Sequence, residues 1–391
     1  MPSAASAYNT QMDFAFPAEH QPFIDLVRTF ARERVAPRAA EIDRTAVYPR
    51  DLVAEASGLG LMGVTIPRAC GGLGLDYVTY AAALEEISSA SATLAVILCV
   101  NNSLVAEAIH QFGTDDQKDT WLASLASGGA IGSFALSEEG AGSDAASLQT
   151  SARLDDRGYV LNGRKVWVAN GEAADLAMVF AVTQPGARGR GISAFLVPLD
   201  TPGVVRVPSP DSLGVRGLGC VTMTFTDARV GAGALVGESG RGFRVAMRAL
   251  EGGRVAIAAQ ALGVGRAALG EALRYARSRE AFGQPIGNFQ AIQFVLSDIS
   301  TELEAARMLT WKAADARDRQ PRATVEAAMA KLQASEAAHK AADKAMQILA
   351  SEGYRRGSVV ERLFRDARAT EIYQGTSEVQ RMIIAETILA G

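Results

Sequence analysis

Cysteine is scarce in this chain: Cys70, Cys99 and Cys220 are the three among 391 residues, too far apart for a CxxC pair, and the three histidines do not cluster. That spacing argues against a disulfide framework and a metal centre, and it suits a reducing cytoplasm. Although 48% of the residues are hydrophobic, no run reaches the ~18 uninterrupted apolar residues needed to span a bilayer. The nearest, Leu94 to Val100, is far too short. The opening Met1 to Gln11 has neither the basic start nor the apolar stretch of a secretion signal and reads as a frayed tail. An excess of one charge is lacking too: 39 basic and 43 acidic residues are well mixed, leaving no basic stripe for nucleic acid. The absences exclude secreted, membrane-spanning and nucleic-acid-binding classes, and the expectation is a cytoplasmic protein.

The length allows two or three domains of about 150 residues. Phe23, Leu26, Val27 and Phe30 recur at helical spacing until Pro37 ends or kinks the helix. Further helices are expected over Pro49 to Ser57, Tyr77 to Ser88, Ser91 to Phe112 and Asp115 to Ala126. Gly58 to Gly63 formally matches GxGxxG, but a dinucleotide loop needs a strand before it and a helix after it, and this one follows a helix and leads to Pro67. From 129 the pattern alternates. Phe134 to Leu136, Leu148 to Leu154, Tyr159 to Ala169, Leu176 to Val182, Ile192 to Val197 and Val221 to Phe225 read as strands, and the short links between them call for antiparallel pairing. Helical spacing returns after 237, with Phe289, Ile292, Leu296, Ile299 and Leu303 forming an apolar seam and Glu336, Lys340 and Lys344 a solvated or intersubunit face. The expected domains are 1–128, helical; 129–236, β; and 237–391, helical.

Five motifs carry chemistry. Arg365 to Arg381 is a charged helix, a Gly375-Thr376-Ser377 break and a new helix in which Glu378 follows the hydroxyls as in a capping box, a corner that exposes backbone N–H groups. It resembles the C-terminal signature of acyl-CoA dehydrogenases, Arg-Asp-Ala followed by Ile-Tyr-Glu-Gly-Thr. Leu136-Ser137-Glu138-Glu139-Gly140-Ala141-Gly142-Ser143-Asp144 resembles that family's Thr-Glu-Pro-x-Ala-Gly-Ser-Asp loop, with Glu139 in place of Pro, a change expected to loosen the loop. Lys165 to Gly171 resembles Lys-x-Trp-Ile-Thr/Ser-Asn-Gly, Tyr275 to Gln290 the Tyr-Ala-x-x-Arg-x-x-Phe-Gly stretch, and Gln347 to Tyr354 the Gln-x-x-Gly-Gly-x-Gly-Tyr loop. The likeness runs from Phe23 to Ile388 in family order.

A short- or medium-chain-like bacterial member is what this resemblance implies. The implied fold is α+β and multidomain: an N-terminal helical domain, a central antiparallel β domain and a C-terminal four-helix bundle. Non-covalent FAD would lie between the β and C-terminal domains of a homotetramer built from dimers. By position, the FAD contacts would be Phe134, Leu136, Ser137, Gly142, Ser143, Trp167, Val168, Ala169, Thr376 and Glu378, with Arg279, Phe282, Gln290, Gln347, Ile348 and Ser351 reaching the FAD of a neighbouring subunit. Ser143, Glu251, Arg254 and Gly375 would contact an acyl-CoA or acyl carrier protein thioester. Electron-transferring flavoprotein would take the electrons. Ala169 lacks the hydroxyl that relatives aim at the flavin, a loss of about 0.5–1.5 kcal/mol, and Ala350 and Ser351 replace two glycines.

The family's catalytic Glu position is Gln374, which cannot accept an α-proton usefully. Some relatives place the base where this chain has Gly253, and that position is empty too. Glu251 lies two residues away, and at about 100° per residue it points elsewhere. Three explanations follow: an inactivating substitution that traps substrate, a natural change served by another base, or different flavin chemistry, as in an oxidase, monooxygenase or carrier-protein-specific desaturase. A non-catalytic thioester-binding subunit is a further alternative.

Overall fold

The computed structural model describes residues 18–390, so the tail read at Met1 to Gln11 lies outside the described residues. The chain begins with helices: α1 (Gln21–Phe30), α2 (Ala39–Thr45), α3 (Arg50–Gly58), α4 (Tyr77–Ala90), α5 (Ala92–Cys99), α6 (Glu107–Phe112), α7 (Asp115–Gln117) and α8 (Ala123–Ser127). In α1, Pro22 occupies the first turn and Ile24, Val27 and Phe30 form the buried stripe. Pro37 sits in the short 3-10 turn before α2 and kinks the path without ending it. Asp76 and Ser91 cap α4 and α5 through the N–H groups of Thr79 and Leu94. The Gly58 to Gly63 stretch closes α3 and turns, with no strand before it.

A π-helical segment, Val100–Ala106, joins α5 to α6. The combined run Ala92–Phe112 is, by length and composition, apolar enough to cross a membrane, longer than the Leu94 to Val100 run that the sequence singles out, and it is buried inside the protein as far as Ile109. Its polar residues show what it is for: Asn101 donates to the carbonyls of Met62 and Leu125 and accepts from Gly132 N–H at 2.9 Å. This helix is a central post.

Eight strands form the middle sheet: β1 (Gly132–Ala135), β2 (Ser151–Asp155), β3 (Gly158–Val168), β4 (Leu176–Val182), β5 (Ile192–Pro198), β6 (Val204–Pro208), β7 (Val221–Val230) and β8 (Leu235–Val236), in the order β6-β7-β3-β2-β4-β5-β8 with β1 against β4. Most pairs are antiparallel, as expected from the links. The exception is β1 with β4, parallel from Gly132 opposite Leu176 to Ala135 opposite Val179, and β2 also meets β4 in parallel at Ser151. Between β1 and β4 lie two other strands and a loop, enough chain to bring β4 back in the same direction. The edge strand β6 went unread because it is mostly exposed and ends in Pro208, which suits an edge and hides alternation.

The C-terminal part holds α9 (Gly242–Ser278), a small hairpin of β9 (Glu280–Ala281) and β10 (Gln284–Pro285), then α10 (Gln290–Arg319), α11 (Thr324–Tyr354), α12 (Val359–Thr370) and α13 (Ser377–Leu389). From Ala249 to Gly265, α9 is buried on every face. Glycine lets it in: a Cβ on Gly263 would stand 2.5 Å from the Glu85 carbonyl of α4, and one on Gly265 2.5 Å from Leu303 of α10.

Residues Arg365 and Asp366 clasp the three parts together. Arg365 pairs with Asp43 at 2.6 Å, and the buried Asp366 carboxylate accepts the Val215 N–H at 2.6 Å. Burial pushes the Asp366 carboxyl up to about 6 from its ordinary 3.8, with the Val215 bond opposing. The folded form thus keeps its proton longer than the unfolded chain, and the associated stability is complete below pH 3.8 and lost as pH rises through about 6. Asp366→Asn keeps an acceptor for Val215 and removes this titration. Between pH 4 and 7 its stability should rise relative to the parent by up to roughly 3 kcal/mol, measured by thermal midpoints across that range.

Candidate active-site cleft

The corner between α12 and α13 is built on two consecutive left-handed residues, Gln374 at φ 53° and Gly375 at φ 97°. Gly adopts this freely; for Gln it costs on the order of 1 kcal/mol. Two side chains hold the turn: Lys331 Nζ and Gln380 Nε2 donate to the Gly375 carbonyl at 2.7 and 2.8 Å. Thr376 caps α13 by accepting from Val379 N–H at 3.3 Å. The third helical position is therefore Val379, and Glu378 stands one residue early, so the expected capping box does not form.

This turn sends Gln374 toward α9. A Cβ on Gly253 would lie 2.1 Å from Gln374 Oε1 and 2.8 Å from Leu104, and Gln374 Nε2 touches Cys99 Sγ at 3.6 Å. The two alternative base positions, 253 and 374, thus open onto one spot. Gln374 Oε1 is buried there without a hydrogen-bond partner. Glu251 faces elsewhere, as the helical angle implies: Arg248 and Thr324 donate to its carboxylate.

Charge at this corner is lopsided. Arg254 is 4% exposed, and its Nε lacks a partner. Burial pulls its guanidinium down, opposed by Glu251. Lys331 is fully buried, and burial, reinforced by the charge of Arg254, brings its ammonium down to about 7. One helical position earlier, a Cβ on Gly252 would strike the Tyr77 hydroxyl at 2.3 Å. Behind it Glu107 accepts from Tyr77, from Thr65 at 2.6 Å and from Arg317 at 3.1 Å. Sequence reasoning missed Cys99, Leu104, Glu107 and Lys331. The clue available was the polar Asn101-Asn102-Ser103 run inside an apolar helix.

The strand-end loop is held from below. Buried Lys165 donates to the Leu136 carbonyl at 3.0 Å and to Glu138 at 2.7 Å, and Glu138 accepts from Gln149 and Thr150 N–H. Rather than loosening the loop, Glu139 pairs with Arg164, and Glu138 and Ala141 exchange backbone bonds at 3.1 Å. Gly142 and Ser143 are exposed. A Cβ on Gly142 would touch nothing, so the room there is free for a ligand. Val166 N–H donates to the Ser137 carbonyl at 2.9 Å, and at the adjoining bulge Trp167 takes φ 55° and stays 53% exposed. Val168 is buried beside it, whereas Phe134 turns its ring onto Phe180 at 4.9 Å. Asn170 fixes the strand end, donating to the carbonyls of Ile97 and Gly132. Leu136, Ala169, Cys99, Leu104 and Tyr373 share one apolar cluster.

The remaining residues named from sequence sit elsewhere. Arg279 ends α9, Phe282 at the hairpin tip is 95% exposed, and Gln290 opens α10. Gln347 and Ser351 are exposed on α11, with Ile348 buried between them. Among the described residues no hydrogen bond, ion pair or ring contact joins this group to Trp167 or Gln374. A half-exposed indole, open space above Gly142, and the buried, unpartnered Ser377 Oγ and Gln380 Oε1 at the α13 start fit one part of an extended flavin, and the second set is exposed apart from Ile348. A cavity of about 350 Å³ lined by Asp116, Trp121, Arg229 and Gly233 lies apart and includes none of these residues.

Three family models match the chain: acyl-CoA dehydrogenase N-terminal domain over residues 17–129, middle domain over 133–228 and C-terminal domain over 240–389. The human mitochondrial short-chain specific acyl-CoA dehydrogenase is 46% identical over 373 residues, 95% of this chain and 90% of the relative. Butyryl-CoA dehydrogenase from Megasphaera elsdenii superposes with a TM-score of 0.94 at 39% identity, covering 97% of this chain and all of that one. The prolyl acyl carrier protein oxidase AnaB superposes at 0.92 with 33% identity, covering 96% and 100%.

Ala350, which stands where the family loop that the sequence resembles has glycine, takes φ 52° and ψ −129°, breaking α11. That backbone is costly for any residue with a Cβ, about 1–3 kcal/mol. Ala350→Gly should raise stability by about 1 kcal/mol after the flexibility gained by the unfolded chain is deducted, read as a higher thermal midpoint.

Proposed function

The chain belongs to the acyl-CoA dehydrogenase family, and from that premise we propose that it is an FAD-dependent oxidoreductase that binds a short acyl thioester with its α-carbon at Gln374. The domains are taken as 1–128, 129–236 and 237–391, in line with the matched models. Support for the site comes above all from one observation: Gly253, Leu104, Cys99 and Gln374 converge on a single spot, the place where either base position of the family would act. Support for a short chain comes from what stands next to it, since Tyr77 and the ion-paired Glu107 block the way beyond Gly252 with buried polar groups, and from the short-chain relatives.

Bound FAD would accept the β-hydrogen as hydride. The chain's own residues do the rest. Leu136, Ser137, Trp167, Val168 and Ala169 would seat the flavin ring, Gly142 and Ser143 its pyrophosphate side, and Thr376 and Glu378 the α13 end. Arg279, Phe282, Gln290, Gln347, Ile348 and Ser351 would meet the FAD of a second copy, which supports a homotetramer built from dimers. Ser143, Glu251, Arg254 and Gly375 belong to the substrate side, with electron-transferring flavoprotein as acceptor. Gln374 keeps the shape of the family's base and lacks its basicity, so the α-proton of a plain acyl thioester has no acceptor at this corner.

A second reading, an oxidase or desaturase acting on a carrier-protein thioester, is favoured by Ala169, which leaves the flavin without a hydroxyl partner, and by the likeness to AnaB. Gln374→Glu separates these readings. With FAD and a dye acceptor, the variant should desaturate butyryl-CoA at least 10²-fold faster than the parent, the usual worth of a positioned base. No gain on any acyl-CoA, with rapid oxygen consumption on a carrier-protein thioester instead, would favour the second reading.

A further inference from the structure

We propose that the corner formed by Gln374, Arg254 and Lys331 binds a carboxylate carried on the α-carbon of the acyl group, so that the preferred substrates are malonyl-type thioesters bearing an alkyl branch. The inference rests on the thioester reading above. Its basis is charge. Arg254 is buried beside Gly253 and makes no hydrogen bond or ion pair among the described residues. Lys331, fully buried, gives its hydrogen bond to the neutral Gly375 carbonyl, next to Gln374. The carboxylate acting on Arg254, Glu251, is already engaged by Arg248 and Thr324; of the two that act on Lys331, Glu378 is exposed and Glu336 pairs with Arg381. Buried charges are stable when paired, and this pair of cations faces an uncharged amide.

An anion delivered by the ligand completes the set. The Gln374 amide can help hold it, because its two ends are alike in shape and either can face the ligand; its N–H now meets only the Cys99 sulfur at 3.6 Å. With no side chain of its own, Gly253 lets the Gln374 amide come this close to α9, where a Cβ would stand 2.1 Å from its Oε1.

This arrangement also removes the need for a base. When the bond between the α-carbon and the carboxylate breaks, its electron pair stays on the α-carbon and spreads into the thioester carbonyl as an enolate, and CO2 departs. It is the same enolate that proton abstraction would form. Where the flavin does not take the β-hydrogen, the enolate takes one proton from water and the product is the saturated acyl thioester. Arg254 and Lys331 remain beside the negative charge throughout.

The test uses FAD-loaded protein and three probes, butyryl-CoA, ethylmalonyl-CoA and glutaryl-CoA, with binding measured by calorimetry. The expected result is that ethylmalonyl-CoA binds at least tenfold more tightly than butyryl-CoA and releases one CO2, with one deuterium entering the α-carbon in D2O. Gln374→Glu, which places a like charge at the corner, should reverse the preference, and Arg254→Met should weaken ethylmalonyl-CoA at least tenfold more than it weakens butyryl-CoA. Equal or tighter binding of butyryl-CoA by the parent, a preference for the distal carboxylate of glutaryl-CoA, or no CO2 release at saturation would overturn the inference. Should that happen while Gln374→Glu desaturates butyryl-CoA, the family reading survives alone; if folded parent and variant bind no thioester, both fail.

Discussion

The cleft depends on the side chain that Gly253 does not have. Glycine in the middle of a buried helix costs about 1 kcal/mol relative to alanine, and α9 accepts that cost at two successive positions. At Gly253 the room is taken by Gln374 and Leu104, and at Gly252 by Tyr77 and Glu107. The result is a notch in an otherwise smooth helix, entered from one side by the α12–α13 turn and from the other by the π-helical segment. π-helical turns in place of α-helical ones shift which side chains face a neighbour, and here that stretch, with Cys99 before it and Glu107 after, lies against the notch.

Around the notch the scaffold is tied across its parts. Asn101, Asn170, Lys165 and Asp366 each tie one part of the chain to another through buried hydrogen bonds. Each such bond contributes about 1 kcal/mol net, but leaving its partner bare costs about 1–3, so the network fixes position more than it adds stability. The contrast with the cleft is informative: Gln374 Oε1, Arg254 Nε, Ser377 Oγ and Gln380 Oε1 are buried and unbonded. Four of the ten buried, unbonded side-chain atoms among the described residues thus gather at one place, where a ligand can supply the missing partners.

Much of this was legible in the sequence, because the signals were local. Helical periodicity located α1, α4 and α9 through α13, alternation located most of the sheet, and the turn chemistry of Gly375-Thr376 located the corner. What stayed hidden was nonlocal. The parallel β1–β4 pair depends on chain returning after forty residues of intervening strand and loop, and β6 lacks alternation because it lies at an exposed edge. Lys331 reads as one more helix-face cation, and only the fold shows it fully buried beneath Gly375. Glu139 looked like a weak point and is held by Arg164, a partner from a neighbouring strand. The Arg365-Asp366 pair, a family signature, turned out to join domains.

Exchanging a carboxylate for an amide at 374 preserves volume and changes the field. With Glu, the corner would hold one negative group beside Arg254 and Lys331, and substrate would meet a nearly balanced site. With Gln, Lys331 falls to about 7, chiefly through burial and further through the charge of Arg254, and a negative charge arriving or developing there would meet both side chains. Proton removal and enolate stabilisation are usually supplied together at such a corner. On the reading proposed above, the first is lost at Gln374 while Arg254 and Lys331 keep the second, so the chain would steady an enolate that the substrate forms without a protein base.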